Sequence, residues 1–145
     1  LSGANEVLLA FDFGLRRIGV ASGNFLTCTA SPITTVQVRA DTPWTVIDRI
    51  VGEWRPRLLV VGVPRPGGRT SIAANAEAFA AELERRYGLE VATVDESLTS
   101  HAAHAEIKNA RRGGHLRRRS GKEQLDSRAA CLIAEQWLNE SRHEH

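Results

Sequence analysis

Residues Leu58 to Val63 read Leu-Leu-Val-Val-Gly-Val, six positions without one polar side chain. A run this short with no solvated face reads as a strand covered on both sides. Covering both sides takes helices on two faces of one sheet, which places the chain in the α/β class. The flanking sequence supplies them. Thr42 can act as N-cap with Pro43 at the first helical position, and Ile47, Ile50, Val51 and Trp54 follow at helical spacing until Pro56. Beyond the apolar run, Thr70 or Ser71 can cap a second helix. Its stripe is Ile72, Ala76, Phe79, Leu83 and Tyr87, and Gly88 stops it. Glu90 to Asp95 is the next strand.

Upstream, Val7 to Phe13 is a strand candidate, Gly14-Leu15-Arg16-Arg17 a turn, Ile18 to Ser22 a second strand and Thr34 to Arg39 a third. Short connections make these three an antiparallel meander. Downstream, a helix is expected from about Thr99 to Ala110, then a basic loop, then a last helix from about Gly121 to Leu138. The order βββ-α-β-α-β-α-α predicts a mixed sheet with helices on both faces. At 145 residues, 1–145 is expected to form one domain with one core. No apolar run approaches the length that crosses a bilayer. The chain enters its first strand without a basic leader, and it contains no Met, as a trimmed product would. Cys28 and Cys131 lie far apart and read as two buried thiols in a reducing, cytoplasmic compartment.

Three acids stand in apolar company, where an unpaired carboxylate is costly. Asp12 shares a strand face with Leu8 and Ala10. Glu96 shares one with Ala92 and Val94. Asp126 is followed at i+3, i+4, i+7 and i+11 by Ala129, Ala130, Ile133 and Trp137, so it belongs to a core-facing stripe. Singly, each has a plain structural reading: a turn cap, a solvated strand end, an acid favoured by a helix N-terminus. Together, parallel-strand logic sets the ends of the first and last strands side by side with the last helix across them. Three converging carboxylates repel unless a cation sits among them, and hard oxygen donors suit Mg²⁺ or Mn²⁺. Such ions activate water and stabilise both oxygens of an in-line phosphodiester displacement.

The net charge is only +2, but Arg111 to Lys122 reads RRGGHLRRRSGK with no acid, so the remainder is net acidic. Segregated charge of this kind points to an anionic partner such as a nucleic-acid backbone. Arg117, Arg118, Arg119 and Lys122 are expected as a mobile arm clamping that backbone. Arg16 and Arg17 sit in the turn beside Asp12, and Arg65 and Arg69 flank Gly67-Gly68 at a strand end. These are phosphate-contact candidates. His101 and His104 are one turn apart without further ligands and read as surface histidines; Trp44, Trp54 and Trp137 read as core or rim.

These residues carry a resemblance. FDFGLRRIGVAS, LVVGVP, VDESLTS and the stretch from Lys122 through Asp126 to Ala130 resemble, in order, the four motifs of the YqgF/RuvX family of pre-16S rRNA nucleases, also described as Holliday junction resolvase-like. The resemblance spans nearly the whole chain. It implies an RNase H-like fold and carries the family's catalytic, metal-binding acids onto Asp12, Glu96 and Asp126. It also implies Mg²⁺-dependent cleavage of structured RNA in 5′-end maturation of the small-subunit rRNA, with branched DNA as a second substrate. The sequence departs from the family pattern at Leu15, usually small or polar, and at Ser97, usually Arg.

Other classes fit less well. Asp-x-Gly before a hairpin also opens actin-like ATPases and sugar kinases, but those close two domains on ATP. Gly14 to Gly19 is no P-loop, since Val20-Ala21 stands where Lys-Ser/Thr belongs. A Holliday junction resolvase, which needs a dimer, and a non-catalytic RNA-binding protein of the same fold stay open beside the nuclease. The residues themselves require nothing beyond a monomer or weak dimer.

Overall fold

A computed structural model describes residues 6–63, 71–95 and 118–143, with the backbone alone at 71, 118–126 and 141–143. The elements are β1 (Val7–Asp12), β2 (Arg17–Asn24), β3 (Thr29–Gln37), α1 (Trp44–Trp54), β4 (Leu58–Val63), α2 (Ser71–Tyr87), β5 (Glu90–Asp95) and α3 (Arg118–His143). The expected helix at 99–110 lies outside the described residues.

The strands form one sheet in the order β3-β2-β1-β4-β5. β1, β2 and β3 pair antiparallel, and β1, β4 and β5 run parallel. All six residues of β4 are buried, as its apolar run requires. Leu9, Phe11, Leu59, Val61 and Val63 point to one face, where they meet Ile47 and Ile50 of α1 and Ala76, Phe79 and Leu83 of α2. Leu8, Ala10, Leu58, Val60 and Val94 point to the other, against Ile133, Ala134 and Leu138 of α3. Burial of each large side chain of this kind contributes roughly 1.5–3 kcal/mol. The mixed sheet with helices on both faces is therefore as expected.

Several boundaries differ from the sequence reading. β3 begins at Thr29, five residues early, because Pro32 sits on an edge strand, where its missing N–H costs no ladder bond. A register shift at Val20/Ala21 accompanies it. α1 starts one residue later than expected: Pro43 is the N-cap, with no side-chain cap bond, and Thr42 contributes only its carbonyl, which accepts from the Trp44 amide at 2.8 Å. Its C-cap, Arg55, is left-handed at φ 46° and returns its N–H to Val51 O at 2.9 Å. The two thiols also differ. Cys131 is buried, but Cys28 is only half-buried, in a left-handed turn position at φ 56° after β2; both are thiols.

α3 approaches the sheet through small residues. Ala130 and Cys131 lie on Ala21 and Ala30, and Gly23 leaves room for Leu8, whose Cγ would stand 2.9 Å from a Cβ there, with Leu138 Cδ1 in contact distance at 3.4 Å. On the opposite face, the first half of α1 is tied to the last turn of α2. The Asp48 carboxylate accepts from the Tyr87 hydroxyl and from Arg86 Nη2 at 3.1 and 3.2 Å, and the Arg86 guanidinium lies 4.6 Å from the Trp44 ring centroid.

The Tyr87 hydrogen bond, and then Arg86, hold the Asp48 carboxyl below its ordinary 3.8. Burial, reinforced by Asp48, pushes the Tyr87 phenol up to about 12. Because the folded-state value of Asp48 is depressed, its stabilising contribution is whole above pH 3.8 and lost as pH falls through the lower folded value. An Asp48→Asn variant is accordingly expected to melt below the wild type at neutral pH. Thermal melts taken down to about pH 2 should show the two converging; a gap that persists there would show that the tie does not depend on the charge.

Candidate active-site edge

The parallel set fixes one edge of the sheet, the carboxyl ends of β1, β4 and β5, where ligands bind in open α/β sheets. Asp12 is the last residue of β1. It follows Leu8 and Ala10 at period two, so it faces α3. Its register partners are Gly19 on β2 and Gly62 on β4, and Gly62 is paired in turn with Val94 on β5. Across this row the α3 face therefore carries glycine, aspartate, glycine, valine. Both neighbours of the carboxylate lack side chains, so Asp12 stands on a bare floor where side chains would otherwise crowd it. Sequence reading had not singled out these two glycines, because period-two reasoning finds them only once strand pairing is known.

The turn after Asp12 also depends on a glycine. A Cβ on Gly14 would stand 2.5 Å from the Arg17 carbonyl oxygen, closer than any side chain tolerates. Arg16 is exposed at the hairpin tip, and its carbonyl accepts from the Val38 amide at 2.8 Å, which pins the tip to the segment after β3. Arg17 opens β2 half-buried. Both Asp12 and Arg17 have interaction partners of their own.

The order of contacts along α3 sets its direction. Leu138 meets Leu8 and Gly23 near the start of β1, and Ala130 meets Ala21, the register partner of Ala10. α3 thus runs antiparallel to β1. Four residues of helix advance about 6 Å and two residues of strand about 6.6 Å. The helical turn preceding Ala130, which holds Asp126, therefore leads toward the Gly19–Asp12 row.

Comparison with known proteins agrees with this architecture. A family model described as RuvX, Holliday junction resolvase, matches residues 6–140. The chain belongs to the RuvX family. A protein of Legionella pneumophila (strain Philadelphia 1) named "Putative pre-16S rRNA nuclease" is 41% identical over 138 residues, covering 93% of this chain and 96% of the relative. Proteins of the same name from Sodalis glossinidius and Yersinia pestis (strain Pestoides F) are each 38% identical, over 136 and 140 residues, covering 92% and 94% of this chain and 94% and 97% of theirs. Among solved structures, T. thermophilus RuvC in complex with a Holliday junction substrate superposes with a TM-score of 0.63 at 17% identity, covering 94% of this chain and 96% of that one. Fowlpox virus resolvase, solved with Holliday junction DNA, gives 0.55 at 10%, covering 91% and 98%. These structural likenesses bear on the fold, which is RNase H-like as expected.

The RuvX motifs fall on the structure unevenly. The first lies on β1 and β2 and the central one on β4. Glu96, Ser97, Arg65, Arg69 and Arg117 lie outside the described residues. Asp126 lies on α3, its side chain outside the description. Two expectations are corrected. The ends of β1 and β5 are not side by side, since β4 separates them by two strand spacings, about 10 Å. And Arg118 and Arg119 belong to the first turn of α3, which starts three residues before the expected Gly121, so they join Lys122, already inside the expected helix, and are not part of a loop. Among the described residues no group of three metal-ligating side chains occurs; of the three acids, only the side chain of Asp12 is described.

Adding a methyl at Gly14 must move the Arg17 carbonyl, a backbone atom. Gly14→Ala is expected to cost about 2 kcal/mol and to lower the melting temperature by roughly 4–8 °C. An equal loss from Gly52→Ala, where nothing lies within 4 Å of an added Cβ, would show that the close approach is not what matters.

Proposed function

We propose that this RuvX-family chain is a divalent-metal-dependent nuclease that cuts structured nucleic acid, with the 5′ end of pre-16S rRNA as its substrate. The observation that carries this reading is the placement of Asp12: a carboxylate at the carboxyl edge of the sheet, facing α3, between two glycines. Relatives of nearly equal length are named for that substrate.

The donor chemistry fits a hard cation. Asp12, Glu96 and Asp126 would hold Mg²⁺ or Mn²⁺, all three through carboxylate oxygen. Continued alternation would give Glu96 the face of Ala92 and Val94, and the longer Glu side chain would suit a site two strands from Asp12 across Gly62. Asp126, one turn before the buried Ala130, suits the third side. When bound, the ion supplies Lewis-acid stabilisation of the phosphate oxygens and activation of water.

The protein's own groups orient the backbone. Arg16 reaches a phosphate from the hairpin tip, with Arg17, Arg65 and Arg69 as further contacts. Arg118, Arg119 and Lys122 sit in the first turns of α3, where the helix dipole disfavours cations. An anion bound there relieves that repulsion, and with Arg117 these residues clamp a phosphate backbone. Affinity should fall steeply with salt. The chain works as one domain in the cytoplasm; no described helix is long and apolar enough to cross a membrane. Resolution of branched DNA is the second reading, favoured by the junction-bound structural neighbours, and it requires a dimer.

The test incubates the wild type and Asp12→Asn with a labelled pre-16S rRNA 5′ fragment and with a four-way DNA junction, with Mg²⁺, Mn²⁺ or a chelator. Cleavage of the RNA should need metal and drop by roughly two to three orders of magnitude in the variant. Junction cleavage in its place would favour the resolvase. Salt-sensitive binding with no cleavage of either substrate would sink the catalytic reading in favour of an RNA-binding protein.

A further inference from the structure

Behind the Asp12 edge, on the opposite face of the sheet, lies a cleft of about 440 Å³ between the hairpin tip, the segment after β3 and α2. Its floor is an aromatic cluster centred on Phe79. Trp44 stacks on that ring at 5.6 Å between centroids, and Phe13 lies tilted to it at 5.1 Å. Leu15, 51% exposed, and Val38 form its walls. Leu15 is also a departure from the family pattern, and a large apolar side chain at a hairpin tip needs a reason.

We propose that this cleft takes one unpaired nucleobase of the substrate, beside the bond to be cut, and so selects substrates with a single-stranded flank. The proposal rests on the nucleic-acid reading of the Asp12 edge and deepens it. Three observations carry it. First, the cleft adjoins that edge through one peptide bond: Asp12 faces α3 while Phe13, the next residue, lines the cleft, and the Arg16–Val38 hydrogen bond holds the Leu15 wall in place. A strand whose phosphate lies at Asp12 can place its neighbouring base across the end of β1. Second, the volume suits one flipped base with its sugar and excludes a duplex. Third, the rim sets Arg39 against Asp41 and so carries no net positive charge, which suits a neutral base better than a phosphate. Asp41 accepts from exocyclic amino groups, and Asn75 can pair with a base edge through both amide atoms. Glu82 is already engaged at both oxygens by Arg85, so the pair is neutral and adds no reader. A flat aromatic and aliphatic slot with acceptors at its mouth is the usual means of holding an unstacked base.

The test uses the Asp12→Asn protein, so that RNA is bound and not cut, and a pre-16S rRNA 5′ fragment carrying 2-aminopurine at each unpaired position in turn. Overall affinity is read by anisotropy in the same titration. One position should change its fluorescence on binding far more than the others. Leu15→Ser and Asn75→Ala, both at exposed positions, should abolish that change and weaken binding about tenfold, without altering the circular dichroism. Tight, salt-sensitive binding with no favoured position, unmoved by both variants, overturns the proposal while leaving the nuclease reading intact. It is also what a cleft reserved for a protein partner's anchor would give. No binding to the RNA at all overturns both.

Discussion

The parallel pairing of β1 with β4 is the constraint on which the rest of the structure depends. It sets Asp12 opposite Gly62 and buries the apolar run of β4 between two helical layers. A one-residue slip in this register would turn Asp12 toward α1 and α2 and put Phe11 under α3. Phe11 sits edge-on against Phe79 at 5.6 Å, so the slip would empty the larger core cluster and bury a carboxylate in its place. Register is therefore strongly specified, and the position of the candidate site follows from core packing.

What sequence could and could not reveal follows from this. β4 and β5 were legible to the residue, because a fully apolar run and an alternating run bounded by Gly88 admit few other placements. The candidate acids were legible one at a time, since a carboxylate in an apolar stripe is anomalous wherever it occurs. Their mutual arrangement was not, because strand order is a property of the whole sheet. The interposed β4 belongs to that order, and so do Gly19 and Gly62, which look ordinary until their register is known. The early start of β3 was hidden for a different reason: Pro32 reads as a strand breaker unless the strand is known to lie at an edge. The start of α3 inside the basic stretch was hidden because its first turns carry no apolar stripe to report a helical period.

The packing of α3 shows how a site of this kind is held. Its contact surface is built of Ala129, Ala130, Cys131 and Ala134, all buried, over Ala21 and the glycine-rich β2. Small side chains bring helix and sheet backbones close, so the helix has little freedom to tilt or slide. The backbone at Asp126, one turn beyond that contact, is carried on the same helix. Larger side chains would gain burial but would lift the helix and, with it, the third acid away from the sheet.

The end of β1 then serves both faces of the sheet. Because side chains alternate, Asp12 and Phe13 are committed to opposite sides by a single peptide bond. Gly14 folds the chain back immediately, under the Arg17 carbonyl, before either side chain can be covered by a longer loop. The same compression sets the carboxylate on one face and the aromatic cleft on the other. A nucleic-acid strand bound as proposed would meet charge and stacking surface within one residue's length, and cleavage chemistry and base selection would then be coupled through the geometry of one tight hairpin.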